Sequence, residues 1–81
     1  MEPDKLDPQV LVDLAQARMP FGKYAGRLLL DLPEPYLLWF ERQGLPGGRL
    51  GELMAMMIEI KREGLGGLLR PLAPPPRLRR P

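Results

Sequence analysis

Apolar positions recur at a helical period in three separate stretches of this chain. Val10, Leu11, Leu14 and Ala17 fall at i, i+1, i+4 and i+7, which predicts a short amphipathic helix over 8–18. Asp7-Pro8 supplies its start, a capping carboxylate followed by proline where the N–H has no helical partner. Arg18 suits the negative end of its dipole. Tyr36, Leu37, Trp39 and Phe40 make a wide apolar stripe that ends at Gly44, which predicts a second helix. Asp31, just ahead of Leu32-Pro33-Glu34-Pro35, is its expected N-cap. After the turn Leu45-Pro46-Gly47-Gly48, the residues Leu50, Leu53, Met54, Met57, Ile58 and Lys61 define the longest helix, 49–63, closed by Gly64. Met56 and Ile60 widen its apolar arc.

Between the first two helices the period changes. Met19-Pro20-Phe21 leads into Gly22-Lys23-Tyr24-Ala25-Gly26, a turn with glycine at each end, and Arg27-Leu28-Leu29-Leu30 resumes an extended pattern with Leu28 and Leu30 on one face. This predicts a two-stranded β-hairpin pairing 19–22 with 27–30, Pro20 confining the first strand to an edge. The expected fold is therefore a small single α+β domain: helix, hairpin, helix, longer helix. The Leu65-Gly66-Gly67-Leu68-Leu69 strap can dock back on the core, which sets the domain at 7–72. Residues 1–6 are expected to fray. The segment 73–81, rich in proline and arginine, is expected to be disordered or polyproline II.

Composition narrows the chemistry. The 81 residues include no Cys and no His, so disulfides, thiolate chemistry and the commonest general base and metal ligand are all missing. An enzyme would have to work with Asp, Glu, Lys or Tyr alone, and capping accounts for Asp31 and Glu34, which lie close together. The chain is expected to be no enzyme, with no catalytic residue, metal or cofactor. The Met1-Glu2-Pro3-Asp4 start lacks a basic segment followed by an apolar one, and no apolar run approaches the roughly 20 residues of a membrane span, so the cytoplasm is the expected location. Net charge is +2, but residues 70–81 hold four of the twelve bases and no acid, leaving eight bases against all ten acids elsewhere. A slightly acidic body argues against broad, unspecific DNA binding.

Three features remain as candidate contact surfaces. Lys23, Tyr24 and Arg27 sit together at the turn and read either as a nucleic-acid or anion finger, with cations for phosphate and a ring for stacking, or as an ordinary exposed turn. Met54, Met56 and Met57 read either as an adaptable surface for a protein partner or for self-association, or as gap-filling in a small core. Phe21 and Trp39 are expected in the core, where rings supply much of the buried area, ahead of the alternative of a recognition platform with Tyr36 and Phe40. The tail Pro74-Pro75-Pro76-Arg77-Leu78-Arg79-Arg80 reads as a proline-rich ligand with basic flanks or as a solubilising end.

The pattern Phe21-Gly22-Lys23-Tyr24-x-Gly26, followed by Leu30-x-x-Pro33-x-x-Tyr36-Leu37-x-Trp39, resembles a family of short bacterial proteins described as "putative quorum-sensing-regulated virulence factors". It is also similar to a small domain at the C-terminus of exonuclease X-like DNA nucleases. The first resemblance implies no settled activity; the second implies an accessory role near nucleic acid. Ala25 stands where the motif often carries a further lysine, which weakens the nucleic-acid implication. The function expected from residues and resemblance together is a small non-enzymatic interaction protein, with a nucleic-acid accessory module using the FGKY loop as the alternative.

Overall fold

In the computed structural model, residues 7–74 are described. The segments expected to fray or be disordered, 1–6 and 73–81, lie outside them except for Ala73 and Pro74. Three α-helices form the body: α1 (Pro8–Gln16), α2 (Glu34–Gln43) and α3 (Gly48–Arg62). Among the described residues, three single 3-10 turns, Leu29–Asp31, Gly66–Leu68 and Arg70–Leu72, accompany them.

The helix ends follow from local chemistry. The Asp7 side chain accepts from the Gln9 N–H at 2.8 Å, and Pro8 occupies the first turn. Gly44 ends α2 at φ 113°. Gly64 ends α3 at φ 75°, with Leu65 N–H donating to the Ile60 carbonyl and Gly64 N–H to that of Lys61, the paired bonds of a Schellman closure. Two assignments made for side chains are corrected. Arg18 lies beyond α1 and donates to the Gly26 carbonyl at 2.7 Å. Asp31 does not cap α2, whose N-cap is Pro33 without a side-chain bond; it belongs to the first 3-10 turn and accepts from Arg70 at 2.8 Å.

The expected β-hairpin is absent among the described residues, and the fold is helical rather than α+β. A single antiparallel bridge, Arg18 with Leu28, is all that forms. Its bonds run from Met19 N–H to the Arg27 carbonyl and from Leu29 N–H to that of Ala17; beyond it, in the loop, Gly26 N–H donates to the Met19 carbonyl. Pro20 has no N–H to extend the ladder. The loop amides of Ala25 and Arg27 are spent locally on the Gly22 and Tyr24 carbonyls. Burial decides the other side. A strand would turn Leu29 away from Leu28 and Leu30, whereas the 3-10 turn between α1 and α3 buries all three.

The core is aliphatic and thioether throughout. Leu14 and Ala15 of α1, Met19, Leu28, Leu29, Leu30, Leu32, Leu37 of α2, Leu53, Met54, Met57 and Ile58 of α3, and Leu69 form one cluster. None of the five aromatic rings is fully buried in it. Gly51 is where α3 meets the preceding turn: a Cβ there would lie 1.8 Å from the Pro46 carbonyl oxygen, so only glycine fits. Exposed ion pairs tie the elements at the surface, Arg49 to Asp13 of α1 at 3.3 Å and Arg62 to Glu41 of α2 at 2.8 Å. Among the described residues, no helix is long and apolar enough to cross a membrane.

Candidate functional site

The loop 19–27 is held at its neck by the Arg18–Leu28 bridge and bent at Gly22 and Gly26, both at positive φ. A Cβ on Gly22 would lie 3.0 Å from the Tyr36 hydroxyl, so the missing side chain also lets the loop lie on α2. The bend brings Lys23, Tyr24 and Arg27 together. The Lys23 ammonium is 5.6 Å from the centre of the Tyr24 ring and the Arg27 guanidinium carbon 5.7 Å, both within cation–π range.

Tyr24 is also the first link in a chain of rings. It meets Tyr36 edge-on at 4.7 Å, and Tyr36 meets Phe40 at 5.3 Å, one helical turn further along α2. Phe40 then touches Trp39 at 5.1 Å and Phe21 at 6.4 Å, again edge to face. Every aromatic residue of the chain belongs to this series. Tyr24, Tyr36 and Phe40 are half-buried against the aliphatic core, while Phe21 and Trp39 are 46% and 47% exposed. The expectation that Phe21 and Trp39 are core residues is therefore corrected. On a helix with 3.6 residues per turn, Trp39 stands about 200° from Leu37, so the two cannot share a buried side. Leu37 takes the core. Phe21 follows Pro20 in the loop and has no strand to turn it inward. Edge-to-face contacts are favourable arrangements for neighbouring rings and contribute to holding this series together.

Charge is distributed unevenly around these rings. Arg49, Arg62 and Arg70 are engaged by carboxylates. The Lys61 ammonium donates to the Leu32 carbonyl at 2.9 Å, and burial pulls its pKa below the ordinary lysine value. Among the described residues, Arg18, Lys23, Arg27, Arg42 and Lys61 make no ion pair, and three of those five belong to the loop or its neck. Between Asp13 and Asp31 the sequence has no acid at all. The result is two exposed rings, Phe21 and Trp39, connected through Phe40, Tyr36 and Tyr24 to the Lys23 and Arg27 cations, which have no counter-charge from their own segment.

The methionine cluster divides between the two readings open to it, gap-filling in the core and a contact surface. Met54 and Met57 are wholly buried and cannot reach a partner. Met56 is half-buried and lines an apolar groove of about 610 Å³ between α1 and α3 with Val10, Leu11, Leu14, Ala55 and Ile60. Sequence reasoning missed the exposure of Trp39 and the need for glycine at 51. The first was legible from the 200° offset to Leu37. The second depends on where the Pro46 carbonyl lies, which no local pattern reveals.

Comparison with known proteins agrees with the motif on which the resemblance rests. The family described as "Putative quorum-sensing-regulated virulence factor" matches residues 7–72. The uncharacterised protein YpeB of Escherichia coli K12 is 52% identical over 71 residues, covering 86% of this chain and 99% of that protein. The YpeB protein of Escherichia coli O157:H7 matches to the same extent. No solved structure matches the chain.

Proposed function

Since the chain belongs to the family described as "Putative quorum-sensing-regulated virulence factor", whose description states no chemistry, we propose from its surface that it is a non-catalytic binding module for nucleic acid. One observation carries the reading: the half-exposed rings of Phe21 and Trp39 connect through Phe40, Tyr36 and Tyr24 to Lys23 and Arg27, and Phe21, Arg18, Lys23 and Arg27 lie in a segment without acids. Rings offer stacking to nucleobases and cations offer charge to phosphates, and it is the combination that nucleic acid uses. The alternative of a protein-contact surface built on Met54, Met56 and Met57 loses two of its three residues to the core.

The test is a titration of the full chain against fluorescent oligonucleotides over a range of salt concentrations, repeated with Lys23→Ala plus Arg27→Ala. Arg77, Arg79 and Arg80 are changed to Gln in both proteins, so that the loop alone is measured. Binding should be present at low salt and weakened in the double variant, with the salt slope falling by about 0.7–0.9 for each lost phosphate contact. Equal binding by the two proteins, or none by either, would refute the proposal.

A further inference from the structure

We infer that the ligand of this face is single-stranded nucleic acid, with unpaired bases laid on Phe21 and Trp39 and the adjoining phosphates on Arg18, Lys23 and Arg27. The inference rests on the nucleic-acid reading and narrows it. In a duplex each base face is covered by its neighbours, and a protein meets only base edges and backbone. Open rings have nothing to stack on there. In a single strand the faces are available, and stacking on aromatic side chains supplies much of the affinity. Both exposed rings lie within 6.4 Å of Phe40, so one short oligonucleotide can reach both.

Charge points the same way. Duplex binding draws its affinity from many phosphate contacts at once. Residues 7–74 carry eight bases and eight acids, and only the loop with its neck concentrates cations free of ion pairs. Three cations suit a short stretch of strand whose remaining affinity comes from rings. Loop residues 19–27 include no Asn or Gln, the side chains that read adenine edges in two bonds, so binding should be tolerant of sequence. Sugar identity is left to the measurement, because stacking and phosphate contacts are common to DNA and RNA.

Trp39 is the only tryptophan, so its own emission reports stacking at the proposed position. The full chain, with Arg77, Arg79 and Arg80 changed to Gln, is titrated with oligothymidylate, oligouridylate and a blunt DNA hairpin of equal phosphate count. The single strands should quench Trp39 and the hairpin should not. In a parallel anisotropy titration Trp39→Leu and Phe21→Leu should each lose at least tenfold in single-strand affinity. Trp39→Phe should keep most of it, which separates loss of a ring from loss of the fold; circular dichroism checks the latter directly. If the hairpin binds as tightly as the strands, or the leucine variants bind like the parent while Lys23→Ala plus Arg27→Ala does not, the single-strand inference is overturned and the nucleic-acid reading survives. If no nucleic acid binds, both fall.

Discussion

Trp39 and Leu37 are two residues apart and do opposite work. Leu37 is wholly buried, and truncating it to Ala removes packed methyls from a small core, at a cost of about 2–5 kcal/mol. Trp39 keeps about half of its surface in solvent and touches Phe40 along one edge, so Trp39→Ala should cost about 1 kcal/mol or less. Urea melts of the two variants should differ accordingly, with Trp39→Ala close to the parent and Leu37→Ala near the limit of folding for a domain of this size. An equal loss in both would mean that Trp39 is buried in solution, and the proposed stacking surface would go with it.

At the scale of elements, Lys61 shows how α3 is tied to the rest. It lies in the last turn of α3 and donates to the Leu32 carbonyl in the link between the first 3-10 turn and α2. Burial lowers its pKa most strongly; Asp31 and Glu34 act to raise it and Arg70 to lower it, leaving the net shift downward from 10.5. The folded protein therefore gives up this proton at a lower pH than the unfolded chain. Below the folded pKa both states hold the proton, and the charged ammonium carries its burial cost. Between the folded pKa and 10.5 the unfolded chain binds more protons, so stability rises with pH. Urea midpoints measured through this alkaline window should rise in the parent relative to Lys61→Met, which has no proton to lose. A flat difference between the two would show that the ammonium is solvated in the fold.

For the molecule as a whole, the shared family unit and the tail have separate charges. The family match ends at residue 72, and beyond it come Arg77, Arg79 and Arg80 with no acid. These arginines should add affinity for any polyanion without regard to strandedness. Changing all three to Gln should remove most duplex binding and lower the salt slope for every oligonucleotide, while the preference for single strands remains or sharpens. The measurement is the ratio of single-strand to duplex affinity, with and without the substitutions. A ratio that collapses to one without the tail would place the discrimination outside the folded body.

What the sequence determined by itself was local. Asp7-Pro8, Gly44 and Gly64 mark helix ends because capping bonds and left-handed backbone are settled within a few residues. Lys23, Tyr24 and Arg27 come together because three residues bent between two glycines, with Arg27 directly after the second, leave them little choice. The family motif was legible for the same reason, being a run of residues with narrow local requirements. Only the tertiary structure decided which side chains win the core. Leu28, Leu29 and Leu30 abandon strand alternation because a 3-10 turn between two helices buries all three, and Pro20 removes the ladder that would hold them apart. Met54 and Met57 go inside while Phe21 and Trp39 stay out, since aliphatic and thioether groups on converging helices already fill the small interior. Asp31 leaves the cap expected of it for Arg70, a partner 39 residues away that no local pattern could supply. Burial in a domain this small is a competition among all its apolar groups at once, and the outcome depends on how the helices converge.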